Sequence, residues 1–116
     1  MLLLGQHDHL STVSLAEGDT VEVVLDENAS TGYMWTPENL PEGLTLTNDG
    51  TRPPDQLRPG AAGSHWFRFR AERTGHGALV LELRRPWEHG SPPAQRFELH
   101  IVAGDGEEPG GGTADR

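Results

Sequence analysis

The sequence contains no cysteine, which excludes a disulfide framework, a thiolate zinc site and a cysteine nucleophile. It also contains no lysine, and its nine arginines are outnumbered by 18 acidic residues, which gives a net charge of −9. Nucleic acid and anionic membranes both demand a basic patch, so neither is expected as a partner. No apolar run approaches the roughly 20 residues of a membrane-spanning helix.

Catalytic signatures are also missing. Neither a GxSxG elbow nor an HExxH helix occurs, and the six histidines are scattered along the chain. His7 and His9 have a spacing that could hold a metal, but they lie in a terminal segment expected to fray. We therefore predict no enzyme activity, no metal site and no cofactor.

The length of 116 residues allows one domain. Residues 1–10 are expected to form a flexible segment, 11–103 the folded domain, and 104–116 a disordered, acidic, Gly-rich tail. Three leucines are too few for a signal peptide, and no basic residue precedes them. The chain as given is expected to be cytoplasmic, or secreted if a leader was trimmed.

Short stretches of period-two alternation recur along the chain, and no long stretch has helical spacing. Turn signals rich in Gly, Pro, Asn and Asp separate them. About seven such strands predict an all-β fold, an antiparallel β-sandwich, with a small barrel as the alternative. The residues expected largely inside are Val21, Val23, Leu25, Tyr33, Trp35, Phe67, Phe69, Leu79, Leu81, Leu83, Phe97, Leu99 and Ile101.

Three loops are unusual for simple connections. The first runs directly into Tyr33 and Trp35, which are expected to anchor it in the core. Its Gly32 fits a left-handed turn position, but Ala29, Ser30 and Thr31 before it are poor turn formers. Loop 1 comprises Asn28, Ala29, Ser30, Thr31 and Gly32.

The other two loops follow later in the chain. Loop 2 comprises Gly60, Ala61, Ala62 and Gly63, and a flexible connection would explain it equally well. Loop 3 comprises Arg85, Pro86 and Trp87. Proline ends a strand ladder, so the tryptophan after it is expected to be exposed. Trp and Arg are the usual hot-spot residues of interfaces, so loop 3 is interpreted as a binding element.

The stretches NASTGYMW, GAAG before WFRF, and RRPWE resemble the three motifs of chagasin-type inhibitors of papain-like cysteine peptidases. Those motifs are Asn-Pro-Thr-Thr-Gly-Tyr, a Gly-x-Gly-Gly loop and Arg-Pro-Trp (or Phe). The resemblance covers roughly residues 12–103 and implies an immunoglobulin-like β-sandwich. Ala29 replaces the family's proline, Ser30 its first threonine, and Ala62 a usual glycine.

The resemblance implies a mechanism of occlusion. Thr31 would approach the catalytic centre of a papain-like cysteine peptidase, loop 2 would lie along one wall of the cleft, and Trp87 along the other. The chain would be a monomer when free. The alternative is a non-inhibitory binding module with a protein or carbohydrate partner, in which Trp66 and Trp87 would stack on a sugar.

Overall fold

The computed structural model describes residues 1–54 and 62–104. Alternating apolar residues form strands in this part of the chain, and two short 3₁₀ turns occupy Gln6–Asp8 and Ala29–Thr31. The strands are β1 Leu2–Gly5, β2 Thr12–Leu15, β3 Thr20–Glu27, β4 Met34–Asn39, β5 Leu44–Arg52, β6 Gly63–Ala71, β7 Gly75–Arg84 and β8 Gln95–Ala103.

The strands form two sheets of four, in the orders β1-β3-β6-β5 and β2-β8-β7-β4. Their inner faces share one apolar core, so the predicted all-β sandwich is confirmed. The antiparallel expectation holds for most pairs, but β1 pairs with β3 and β2 with β8 in parallel. In both parallel pairs the N-terminal segment supplies the edge strand of the sheet.

The core consists of the alternating residues that face the opposite sheet. Phe67 and Phe69 of β6 are almost fully buried, as are Leu79 and Leu81 of β7. Val13, Leu15, Leu44, Ala71 and Ala103 extend the core beyond the predicted set. Burial of this apolar surface is the main term that stabilises the fold.

The N-terminal segment differs from the expectation for residues 1–10. Leu2–Gly5 forms a strand in register with β3, from Leu2 opposite Val21 to Gly5 opposite Val24. Asp8 accepts the backbone N–H of Gly5 at 2.9 Å and closes the following turn. The sequence prediction missed this strand because the run MLLLG does not alternate, and its pairing partner lies almost 20 residues further on.

Two residues predicted to be inside lie at the margin of the core. Tyr33 is half-buried, because it precedes β4 and its ring packs against Arg85. Leu83 is also half-buried, and it packs against the core from the end of β7. In loop 2, Gly60 and Ala61 lie outside the described residues, and so does the expected tail beyond Gly104. No helix in residues 1–54 and 62–104 is long and apolar enough to cross a membrane.

A charged cluster covers the outer face of the sheet that contains β6. The buried Glu22 carboxylate accepts hydrogen bonds from Arg68 at 2.8 Å and from Arg52 at 3.4 Å. The Arg68 bond lowers the pKa of Glu22 below its usual value, burial opposes this shift, and Arg52 adds to it. The guanidinium groups of Arg68 and Arg52 also approach the ring of Trp66, at 5.2 and 5.5 Å from its centre. Trp66 is therefore engaged within its own sheet.

Candidate functional site

Loop 1 is held together by its own hydrogen bonds. The Asn28 side chain caps the 3₁₀ turn Ala29–Thr31 and accepts hydrogen bonds from the N–H and the hydroxyl of Ser30, at 3.1 and 2.8 Å. The Thr31 hydroxyl donates to the Asn28 carbonyl at 2.8 Å. Gly32 then ends the turn at φ +83°, in the left-handed region that favours glycine. The residues that looked like poor turn formers thus make a capped turn.

The neck of loop 1 is closed by two further hydrogen bonds. The Trp35 backbone N–H donates to Glu27 Oε1 at 2.7 Å, and the indole N–H donates to the Asp26 carbonyl at 2.8 Å. Trp35 is buried, as expected of an anchor. Both ends of the loop are therefore fixed to each other and to the core, so its exposed tip loses little conformational entropy on binding.

Loop 3 is joined to loop 1 through Arg85. Its Nε–H donates to the Thr31 carbonyl at 3.1 Å, and its guanidinium lies 4.4 Å from the centre of the Tyr33 ring. Strand pairing explains the contact, because Met34 at the start of β4 is opposite Arg84 at the end of β7. Tyr33 therefore supports the arginine of loop 3 instead of filling the core.

Trp87 lies against the backbone of loop 1. Its side chain is 63% exposed, and Pro86 beside it is also exposed. A Cβ atom at Gly32 would lie 3.2 Å from Cζ2 and 3.3 Å from Cζ3 of the indole, and it would overlap Cη2. Glycine at position 32 therefore serves both the turn and the close approach of the Trp87 ring.

The described end of loop 2 lies beside loop 1. Gly63 opens β6 opposite Glu27, the last residue of β3. A shallow groove beside it is lined by Ala29 from loop 1 and by Pro53, Pro54 and Ser64 from the flanks of loop 2. A Cβ at Gly63 would overlap the Arg52 carbonyl oxygen and lie 3.3 Å from the Pro53 and Pro54 backbones, so this position also requires glycine. Ala62 is exposed.

The sequence did not single out the polar groups beneath these loops. Glu27 and His65 are both buried side chains, and they contact each other at 2.9 Å. In the sequence Glu27 ends an alternating strand and His65 is one of several scattered histidines. The two residues are 38 positions apart, so only the structure shows that they are in contact. No group of three or more potential metal ligands occurs in the described part of the chain. His9 instead accepts the Glu98 backbone N–H through Nδ1, at 3.1 Å.

Loop 1 crosses from one sheet to the other, flanked by the base of loop 2 on one side and by loop 3 on the other. We call the exposed edge formed by loop 1, loop 3 and the described end of loop 2 (Ala62 and Gly63) the wedge. Backbone, small side chains and an indole ring make up its described part. An exposed edge of this kind at one end of a β-sandwich is suited to binding another protein, and comparison with known proteins identifies the class of binding protein.

The chagasin family peptidase inhibitor I42 model matches residues 14–101. The chain belongs to this family of inhibitors and is not an enzyme. It is 31% identical to chagasin of Trypanosoma cruzi over 98 residues, which cover 80% of this chain and 89% of chagasin. It is 33% identical to amoebiasin-1 of Entamoeba histolytica over 87 residues, which cover 72% and 82%.

The solved structures agree on the fold. The crystal structure of EhICP2, a cysteine protease inhibitor from Entamoeba histolytica, superposes with a TM-score of 0.75 at 22% identity. The superposition covers 88% of this chain and 93% of EhICP2. The strands that carry loops 1 and 3, which are β3, β4 and β7, lie within residues 14–101, the range that the family model matches.

Proposed function

We propose that this protein is a reversible inhibitor of papain-like cysteine peptidases that occludes the active-site cleft with its three loops. Membership of the chagasin family supports peptidase inhibition. The observation that carries the mechanism is the packing of Trp87 on Gly32, reinforced by the hydrogen bond from Arg85 to Thr31. These contacts join loops 1 and 3 into one preformed edge.

The narrow tip of loop 1 suits a deep cleft. Ser30 and Thr31 are exposed and small, and Asn28 already satisfies the polar groups of the turn behind them. Thr31 would approach the catalytic cysteine, and the preformed turn would leave little chain to order on binding. The tip supplies no nucleophile and no acid–base pair of its own, so the proposed inhibition is occlusion of the cleft.

Loops 2 and 3 would contact the two walls of the cleft. Trp87 offers a large rigid surface on one side, and loop 2 would lie along the other wall. A standard interface of about 1,600 Å² in total would be sufficient. The contributions of loop 2 and Pro86 to binding stay predictions. The monomeric state of the free chain and its cytoplasmic location stay predictions as well.

Titration of papain and of a cathepsin L-type peptidase with the purified protein tests this proposal. We expect a stoichiometric, reversible loss of activity, with the inhibitor recovered uncleaved. Thr31→Arg is the control, because a long charged side chain at the tip cannot enter a narrow cleft and should abolish the effect. Full peptidase activity at about 10 μM inhibitor, corresponding to binding weaker than about 7 kcal/mol, would contradict the proposal.

A further inference from the structure

A buried histidine lies beneath the wedge, with a carboxylate at each ring nitrogen. His65 Nδ1 is 2.9 Å from Glu27 Oε1, and Nε2 is 2.8 Å from Asp49 Oδ2. The side chains of His65 and Glu27 are each only 7% exposed, whereas that of Asp49 is 46% exposed. Phe67 stacks on the imidazole at 4.2 Å between ring centres, which fixes the plane of the ring.

Both contacts require a proton. A carboxylate only accepts hydrogen bonds, so each ring nitrogen that faces one must carry a hydrogen. An imidazole is a stronger base than a carboxylate, so the ring is where both protons lie. In this arrangement His65 is an imidazolium that donates to Glu27 and to Asp49. A neutral ring would place one lone pair against a carboxylate oxygen.

The three residues connect the supports of two loops. Glu27 ends β3 immediately before loop 1, and its Oε1 also accepts the backbone N–H of Trp35 on the far side of that loop. Asp49 and His65 belong to β5 and β6, the strands on either side of loop 2. One imidazole ring therefore links both ends of loop 1 to both strands that carry loop 2.

The surroundings define which groups act on the ring. In the described part of the chain, the titratable groups that contact it are Glu27 from β3 and Asp49 from β5. From β4, the backbone N–H of Trp35 donates to Glu27 Oε1, the same oxygen that contacts the His65 ring. Arg52, the nearby cation of β5, pairs with Glu22.

Building on the proposed inhibition, we propose that His65 is a positioning residue that sets the two ends of loop 1 relative to strands β5 and β6. It does so in its doubly protonated form, through Glu27 and Asp49. A ring that carries only one proton keeps only one of the two links, so the wedge would loosen and peptidase binding would weaken.

Asp49→Asn separates this role from general stability. The amide group can donate to Nε2 of a neutral ring, while Nδ1–H still donates to Glu27, so the network no longer needs the second proton. Position 49 is half-exposed, which makes the variant suitable for folding. His76→Gln is the matched control, because His76 is an exposed histidine on β7, away from the wedge.

The measurement is the ratio of the papain dissociation constants of the parent and of Asp49→Asn at each pH, in which the titration of papain itself cancels. We expect the ratio to rise about tenfold between about pH 5 and about pH 8, because a charge-assisted hydrogen bond is lost in the parent only. The ratio of the parent to His76→Gln should stay constant. A constant ratio for Asp49→Asn would overturn the proposal.

Two measurements on the free protein give an independent answer. Long-range ¹H–¹⁵N spectra should show both His65 nitrogens protonated at about pH 6. The second measurement is the hydrogen-exchange rate of the Trp35 amide in the parent, divided by the rate in Asp49→Asn at the same pH. This ratio should increase as the pH rises. A neutral ring at about pH 6, or a constant exchange ratio, would overturn the proposal. If no papain binds at any pH, the proposed function is wrong, and these two measurements still decide the role of His65.

Discussion

The Trp87 indole rests on Gly32, with Cζ2 and Cζ3 placed 3.2 and 3.3 Å from where a Cβ at position 32 would lie. The contact joins a loop that leaves β3 to a loop that leaves β7, more than 50 residues apart in sequence. Loops 1 and 3 are thus one surface before any partner arrives, and substitutions in one loop should affect binding through the other.

Gly32→Ala is expected to weaken peptidase binding by about tenfold or more. The methyl group displaces the Trp87 ring, and alanine at a left-handed φ costs about 1–2 kcal/mol in folding stability. Gly18→Ala isolates the backbone cost, because Gly18 has φ +93° and no atom within 4 Å of its added Cβ. Papain titrations and thermal melts of both variants provide the measurement. Equal binding by the two variants would show that the Trp87 contact is unimportant.

Trp87→Ala is expected to weaken binding by about 2 kcal/mol or more, roughly thirtyfold, which is the usual scale for an aromatic hot spot. Because the side chain is 63% exposed, the melting temperature should barely change. Papain titration beside circular dichroism melts tests both statements. A melt far below that of the parent would mean that Trp87 supports the fold, and its assignment to the binding surface would then fail.

Ala29→Pro should stabilise the free protein by about 0.4–1 kcal/mol and leave binding equal or tighter. Position 29 is the first residue of a 3₁₀ turn, where proline is well tolerated, and Asn28 before it is extended at φ −101° and ψ 105°. Ser30→Pro is the contrast, since it removes the N–H that donates to Asn28. We expect that variant to bind less tightly. Loss of stability in Ala29→Pro would refute the prediction.

Glu22→Gln should destabilise the fold by about 1–2 kcal/mol at neutral pH, since it removes the charge-assisted bond from Arg68. The folded-state pKa of Glu22 is lowered, so this stability is present above the unfolded pKa and is lost as the pH falls through the folded one. The difference between parent and variant should therefore vanish in acid. Denaturant unfolding across the pH range measures it.

Glu72→Gln serves as the control for that series. Glu72 pairs with Arg70 at 3.6 Å, and both side chains are about half-exposed, so its removal should change stability by less than about 1 kcal/mol. A difference for Glu22→Gln that persists unchanged in acid would show that the carboxylate is not the stabilising group.

The alternation of residues was enough to predict the fold. Phe67 and Phe69 face inward because every second residue of a strand points to the same side. This can be predicted without knowing which strands pair with β6. The strand Leu2–Gly5 was missed because its apolar run shows no alternation. Tyr33 was misplaced because a ring at a strand boundary can pack on a neighbouring loop instead of the core.

The candidate site was predictable only in part. Family motifs pointed to Thr31 and Trp87, but no local pattern shows that Trp87 packs on Gly32, because that contact depends on the pairing of β4 with β7. The network around His65 was likewise invisible. Its members come from three strands, and each looks like an ordinary polar residue until the sheet brings them together.

The polarity of the sandwich has a practical consequence for immobilisation. Ala103, at the end of β8, pairs with Gly75, at the start of β7. The other end of β7, Arg84, leads into loop 3. The ten residues of β7 separate these two ends by about 30 Å. A bead, a sensor chip or a fluorophore attached beyond Gly104 would therefore hold the molecule by its blunt end and leave the wedge facing the solution.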